Sequence, residues 1–488
     1  MEKLNNILPN DTAAEIIGKT DINISGLTFD SRNVEPNNMF FAVRGTQIDG
    51  HQFITSAIEK GATAIICEQI PENIHTENVT LIRVPNSAEA MGKIAVKFYN
   101  NPASKLNLVG ITGTNGKTTA VTLLYRLINA LGGKAGLIST IQNQIGDTTI
   151  ASTHTTPSAI EINSLLSKMV DQGCTHCFME VSSHATDQKR VAGLEFAGAI
   201  FTNITHDHLD YHKTFSEYIK AKKSLFDNLS ANAFALTNVD DRNGRVMVQN
   251  TKAKISTYSL KNMANYRCKI IEQHAHGMLL NIDNTELWSR LIGNFNAYNL
   301  LTVYATALLL NFDRQEVLTE LSNMGPVNGR FENFVAPNGV IAVVDYAHTP
   351  DALENVISTI NKILHEGNRL ITVVGAGGNR DKTKRPIMTQ VALQGSHLVV
   401  LTADNPRHED PAEIIDDMKK GIDPSQVGKV LTIVDRREAI RTACLLASPN
   451  DVVLIAGKGH ETYQEVKGVR HHFDDKEEVS EIFKALQA

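Results

Sequence analysis

Apolar runs long enough to cross a membrane are absent from this 488-residue chain. None approaches the ~18 consecutive residues that a helical span requires. No signal-peptide pattern is present either, because Met1 to Thr12 is polar, and the expected location is the cytoplasm. Cysteines are few, five in all, which excludes a disulfide scaffold. Cys174 and Cys177 make a lone C-x-x-C inside an apolar segment, without a second pair, and read as reduced structural thiols. Positive charge is not in excess: 47 Lys and Arg stand against 53 Asp and Glu, a net of −6 that argues against a nucleic-acid binder. Internal repeats and low-complexity segments are also missing. What remains is an ordinary globular composition, 42% hydrophobic and 20% charged, in a chain too long for one core.

The pattern along the chain predicts an α/β fold with three domains in series. Residues 1–102 read as a small mixed α/β unit, with strands at Met39 to Val43, Ala62 to Cys67 and Val79 to Val84 and a helix from Ala88 to about Tyr99. Residues 103–328 alternate apolar strands with helical patterns, which predicts a P-loop-type ATPase unit with a parallel sheet. Turn residues Gly325 to Arg330 break that pattern and mark a hinge. Residues 329–488 restart the alternation, with strands at Val340 to Asp345, Leu370 to Gly375, Leu398 to Thr402 and Val452 to Ala456, as in a Rossmann-like unit. Gly375-Ala376-Gly377-Gly378 lacks the full G-x-G-x-x-G spacing, so a dinucleotide is not indicated.

The most specific motif is G-I-T-G-T-N-G-K-T-T, Gly110 to Thr119, between an apolar strand and an amphipathic helix. That context lets backbone N–H groups of Gly113, Thr114, Asn115, Gly116 and Thr119 turn toward phosphates, helped by the helix N-terminus. Lys117 would reach the terminal phosphates of ATP and the Thr118 hydroxyl would ligate Mg²⁺. Glu180 ends the apolar strand Cys177 to Val181, where carboxylates of α/β sheets face the binding crevice; a metal ligand and a solvated strand-end residue both remain open. Phe201 to His212 packs three His and two Asp into twelve residues, a density that favours a metal or phosphate site over a structural cluster. Lys220, Lys222 and Lys223 share a helix with Tyr218, Ala221, Leu225 and Phe226, and composition alone leaves them a solvated face.

G-T-N-G-K-T-T, E-V-S-S-H, F-T-N-I-T-H-D-H-L-D-Y-H, G-N-F-N-A-Y-N (Gly293 to Asn299) and D-Y-A-H-T-P-D-A (Asp345 to Ala352) occur in an order that resembles the Mur ligases across essentially the whole chain. The resemblance implies an ATP- and Mg²⁺-dependent amide ligase of peptidoglycan precursor synthesis, working as a monomer through an acyl phosphate. It implies Lys117, Thr118, Glu180 and His208 at the phosphates and metal, and Lys222 carbamylated by CO₂ as a further ligand. Asn296, Asn299, Arg330, Asp345 and His348 would serve the nucleotide, with Arg330 also offsetting phosphate charge. Ser31 would touch the uridine end of UDP-N-acetylmuramoyl-L-Ala-D-Glu, and Thr155, Thr156, Ser183, Gln188 and Arg190 its muramoyl-dipeptide. Within the family, D-N-P-R (Asp404 to Arg407) is a meso-diaminopimelate signature, accompanied by Arg380, Gly457 and Glu461. Arg407 offers a planar fork to the second carboxylate that L-lysine lacks. With L-lysine bound that guanidinium would be buried and unpaired, at a cost of roughly 3–5 kcal/mol, more than two decades in selectivity for meso-diaminopimelate.

Overall fold

The computed structural model describes residues 1–9, 15–45, 48–71, 78–205, 207, 209–274 and 276–485. Three large sheets, one per unit, follow one another along the chain, with two further two-stranded pairs among the described residues. The first has the strand order Glu15–Ile17, Thr80–Arg83, Ala64–Cys67, Asn38–Phe41, Gly26–Thr28, parallel except at the Glu15–Ile17 edge. The helix Ser87–Phe98 covers it, started by Asn86, whose side chain accepts from the Glu89 N–H. Buried Ala90, Met91 and Ile94 of that helix pack on Met39, Phe41, Ile66 and Ile82.

The second sheet has eleven strands, and its middle is parallel as expected: Ala135–Ile138, His176–Glu180, Asn107–Thr112, Gly198–Phe201, Phe234–Asn238 and Lys254–Ser259. Its flanks add antiparallel strands to that parallel middle. Gln142–Ile145 and Thr148–Ala151 form an antiparallel hairpin on one side. Tyr266–His274, Gly277–Ile282 and Thr285–Ser289 form an antiparallel meander on the other. These strands are joined by tight turns rather than helices, so strand–helix alternation carried no trace of them.

Asn107–Thr112 lies between strands that come later in sequence on both sides, which makes its carboxyl end the topological switch point where α/β sheets bind ligands. The helix Lys117–Ala130 leaves from that end and buries Val121, Leu124, Leu127 and Ile128 against Val109, Ile111, Leu137 and Phe178. The third sheet runs Glu332–Val335, Ile341–Asp345, Val452–Ala456, Leu370–Ala376, Leu398–Ala403, Val430–Thr432, parallel except for the first. Helix Pro350–Ile363 begins with Thr349 as its cap and proline at its first position, and buries Leu353, Val356, Ile357 and Ile360. All five cysteines are free and buried. No helix among the described residues is long and apolar enough to cross a membrane.

Candidate active site

The loop after Asn107–Thr112 depends on two glycines. Gly113 has φ +153° and a Cβ there would stand 1.9 Å from Thr202 Oγ1; Gly116 has φ +88° and a Cβ would stand 2.6 Å from Asn299 Oδ1. Side chains at either position would strain the backbone and clash. Gly116 precedes the helix Lys117–Ala130 and no side chain caps it, whereas Ser158 accepts from the Glu161 N–H at 3.2 Å to cap the helix Ala159–Asp171. An open helix N-terminus at a switch point suits a phosphate.

Two lysines converge on the same carbonyl. Lys117 Nζ donates to Gly113 O at 2.9 Å and to Thr114 O at 2.9 Å, and Lys222 Nζ donates to Gly113 O at 2.8 Å. Lys222 is 1% exposed, and its ammonium stands 4.6 Å from the centre of the Tyr218 ring. Burial foremost, and Lys117 next, push the Lys222 pKa well below the ordinary lysine value. Burial likewise lowers Lys117, opposed by Glu180 and Asp207. Lys222 therefore does not lie on the solvated face that composition left open, and it favours the neutral amine.

Glu180 is 1% exposed at the end of His176–Glu180; its carboxylate accepts from the Thr140 N–H at 2.8 Å and the Thr140 hydroxyl at 3.2 Å. The solvated alternative for Glu180 is thereby excluded. Thr118 is also buried, and its hydroxyl accepts from Arg330 Nη2 at 3.0 Å. Hydroxyl and carboxylate oxygens are hard donors, so Thr118 and Glu180 fit Mg²⁺. His208, the remaining expected ligand, lies outside the described residues, as does His206.

Four of the five residues expected around the dipeptide, Thr155, Thr156, Gln188 and Arg190, are joined in one network through Thr140 and Glu180. Arg190 donates to Gln188 Oε1 at 3.0 and 2.6 Å and to Thr156 O at 2.7 Å. The Thr156 hydroxyl donates to Glu180 O at 2.8 Å, and the Thr140 and Thr155 hydroxyl oxygens lie 3.0 Å apart, within hydrogen-bond distance. Ser183 is buried, with its hydroxyl unpartnered among the described residues. Ser31 lies apart in the first unit, where its carbonyl accepts from Lys60 Nζ at 2.8 Å.

The C-terminal unit docks onto this loop. Asn115 Nδ2 donates to Asp351 Oδ2 at 2.7 Å, and Thr205 donates to the same oxygen at 3.3 Å. Asn296 and Asn299 are buried together, Asn299 Nδ2 donating to Asn296 Oδ1 at 3.1 Å. The Arg330 guanidinium lies 4.4 Å over the Tyr346 ring, and Tyr346 in turn packs 4.9 Å from His460. Asn405 Nδ2 donates to Glu461 Oε2 at 2.7 Å, while buried Lys458 donates to Asn405 Oδ1 and Glu461 Oε2 at 3.2 Å each. Gly457 has φ +119°, and a Cβ there would stand 2.8 Å from Asp404 Oδ2. Arg407 donates to Gly378 O at 2.7 Å and is half-buried; Arg380 is exposed on the neighbouring loop. A continuous chain of contacts thus runs from Thr118 through Arg330, Tyr346 and His460 to the Glu461–Asn405 pair. Tyr346 and Asp351 fall in the D-Y-A-H-T-P-D-A motif and Lys458 and His460 lie between Gly457 and Glu461, but their contacts depend on this docking, which no local spacing reveals.

Burial also sets an acid response. Asp345 accepts from the Phe331 N–H at 2.7 Å and the Ala347 N–H at 2.8 Å, yet burial raises its pKa to about 6 against the pull of Arg330. Burial and then Lys384 lower His348 to about 4, and burial and then Arg330 lower His460 to about 3. Near pH 5 each unfolded histidine holds a proton that the folded one does not, so stability falls as pH drops through that range. Asp345 acts oppositely, because the folded carboxyl keeps a proton that the unfolded chain has shed. The three groups leave a net slope near one proton, about 1.4 kcal/mol per pH unit, and Asp345→Asn should roughly double it. Denaturant titrations at pH 4.5 to 6 test this, and an unchanged slope in the variant would refute it.

Family models match in three consecutive blocks: Mur ligase family, catalytic domain at 23–99; Mur ligase middle domain at 111–307; and Mur ligase, glutamate ligase domain at 329–459. The chain is 57% identical over 471 residues to a Cytophaga hutchinsonii protein named UDP-N-acetylmuramoyl-L-alanyl-D-glutamate–2,6-diaminopimelate ligase, covering 96% of this chain and 97% of that one. A Phocaeicola vulgatus protein of the same name is 55% identical over 481 residues, covering 99% of each. A solved structure bearing that name matches with TM-score 0.70 at 34% identity, covering 100% of this chain and 99% of the other.

Proposed function

This chain belongs to the Mur ligase family, and from that membership we propose that it is the ATP-dependent ligase joining meso-2,6-diaminopimelate to the D-glutamyl γ-carboxylate of UDP-N-acetylmuramoyl-L-Ala-D-Glu. The observation that supports the reading is the contact chain from Thr118 of the phosphate loop through Arg330, Tyr346 and His460 to the Glu461–Asn405 pair. Relatives at 55–57% identity bear the corresponding name. The work is cytoplasmic, and a monomer with units 1–102, 103–328 and 329–488 suffices.

A carboxylate does not condense with an amine in water, because the oxygen it would expel is a hopeless leaving group. ATP transfers its γ-phosphoryl to the γ-carboxylate, giving an acyl phosphate and ADP. Bringing these anions together costs about 4 kcal/mol per pair of unit charges at 4 Å and an effective dielectric near 20. Lys117 and Arg330 supply compensating charge at the phosphates, and the open helix N-terminus adds its dipole. Asn296, Asn299, Asp345 and His348 hold the nucleotide end. Thr118, Glu180, His208 and a carbamylated Lys222 would hold Mg²⁺, which supplies further positive charge at phosphate oxygens. The neutral amine of diaminopimelate then attacks the acyl carbon, and phosphate leaves as the tetrahedral intermediate collapses. Thr155, Thr156, Ser183, Gln188 and Arg190 orient the dipeptide, and Ser31 the uridine end.

Arg407 selects the amino acid, with Arg380, Asp404, Asn405, Gly457 and Glu461 around it. Because Arg407 is half-buried and already donates to Gly378 O, the full penalty of an unpaired buried cation does not apply. A charge-assisted pairing contributes about 1.5–3 kcal/mol, so preference over L-lysine should be roughly ten- to a hundredfold. Phosphate release with the UDP-dipeptide is the assay, comparing the two amino acids in wild type and Arg407→Ala. A diaminopimelate preference that collapses in the variant is expected. Equal use of lysine by wild type would discard the selector; no turnover with either would favour a non-catalytic ATP-binding protein that kept the fold.

A further inference from the structure

Two loops carry the arginines of the amino-acid end, 377–383 with Arg380 and 404–409 with Arg407, and one carboxylate clamps them together. Glu409 accepts from the Asn379 N–H at 2.5 Å and from Arg385 at 3.0 Å through each of its oxygens, and pairs with Lys382 Nζ at 3.0 Å. Arg385 is only 1% exposed and also donates to Gly377 O at 3.3 Å. The clamp is reinforced by the His408 N–H donating to Asn379 Oδ1 at 3.0 Å and the Gly378 N–H donating to Asn405 O at 2.9 Å. Asn379 and Arg407 both hold left-handed backbones, φ +52° and +53°, that non-glycine residues adopt at a cost. Strain of that kind persists only where surrounding bonds over-determine the conformation, and for Asn379 one of those bonds is its N–H to Glu409. On its far side the Arg407 loop is fixed separately, the Arg407 N–H donating to Glu465 O at 2.9 Å and the Glu465 N–H to Asn405 Oδ1 at 2.9 Å.

We propose that Glu409, seated on Arg385, is a positioning residue that sets the separation of Arg380 and Arg407 and so tunes selection of the amino acid's distal carboxylate, without touching the amino acid. This rests on the diaminopimelate reading above. Removing the Glu409 charge does not strand a buried cation, because Arg385 also donates to Asp417 Oδ2 at 2.9 Å. Glu409→Gln is therefore expected to fold, and Glu409→Asp keeps the charge while shortening the reach.

The test is steady-state kinetics with meso-diaminopimelate and with L-lysine on wild type, Glu409→Gln, Glu409→Asp, Arg407→Ala and the Glu409→Gln/Arg407→Ala double variant. Glu409→Gln should raise KM for diaminopimelate roughly ten- to a hundredfold, as loss of positioning does elsewhere. KM for ATP and for the UDP-dipeptide should change less than about twofold, and the lysine reaction should be nearly unaffected. Added to Arg407→Ala, the Glu409 change should cost almost nothing more, because it acts through the same guanidinium. Fully multiplicative losses, an unchanged KM for diaminopimelate, or equal rises in all three KM values would overturn the proposal. A wild type indifferent between diaminopimelate and lysine would instead overturn the reading on which it rests, and that is seen before any variant is made.

Discussion

Lys222→Ala is expected to lower kcat by roughly a thousandfold, the scale seen when one preorganised charge-stabilising group is lost, while KM for the UDP-dipeptide changes little. As an ordinary ammonium Lys222 is badly placed: it is buried, it shares the Gly113 carbonyl with Lys117, and both effects depress its pKa. A neutral amine in that position can attack CO₂, forming an N–C bond and releasing a proton to give an anionic carbamate. Its neighbour Lys117 then faces an opposite charge instead of a like one, and the oxygen-donor set with Thr118 and Glu180 gains a member. Folding gives a second readout independent of turnover. Between its depressed folded pKa and the ordinary value near 10.4, the unfolded lysine binds a proton the folded one does not, so the contribution of Lys222 itself to stability rises with pH through that window. Bicarbonate, by reacting with the folded amine, should raise Tm of wild type in a concentration-dependent way and leave Lys222→Met unmoved. A Lys222→Arg variant with full activity, or a Tm indifferent to bicarbonate, would sink the carbamate role.

Much of the site was legible because its chemistry is local. The strand, the glycine loop and the helix sit within Asn107–Ala130 in the expected order, and the strand-end position of Glu180 followed from the apolar run before it. The depth of Lys222 was not legible, since its helix Phe215–Asp227 shows lysines at three positions and only one is buried. What buries it is docking against Gly113, 109 residues earlier, a contact that periodicity cannot encode. The meander Tyr266–Ser289 was hidden for the opposite reason: its strands pair locally, but a reading tuned to alternating strands and helices passes over them. Arg407 stands between these cases. Its motif was visible, yet its half-exposure and its bond to Gly378 O reduce the discrimination that burial alone would have implied.

Arg330→Ala should cost roughly a thousandfold or more in kcat, comparable to removing an arginine that stabilises a transferring phosphoryl group. Arg330 follows the turn between the central and C-terminal units, but its guanidinium reaches back to the Thr118 hydroxyl at 3.0 Å, and its Nε–H is buried without a partner among the described residues. A donor left unsatisfied beside a phosphate loop is poised for an oxygen that arrives with the substrate, since a buried N–H without a bond costs about 1–3 kcal/mol. Stacking on Tyr346 fixes the plane of the fork, so Arg330→Lys should not restore activity: an ammonium has neither the rigid planar fork of donors nor the flat face. The same charge tunes its neighbours, holding Asp345 down and opposing protonation of His348 and His460. Its removal should therefore raise all three pKa values together, a shift that NMR titration of the two imidazoles can follow. If kcat collapses while the imidazole pKa values stay fixed, the guanidinium acts somewhere other than this cluster. If the imidazoles shift and kcat survives, Arg330 organises the junction of the units but does not stabilise the transferred phosphoryl group.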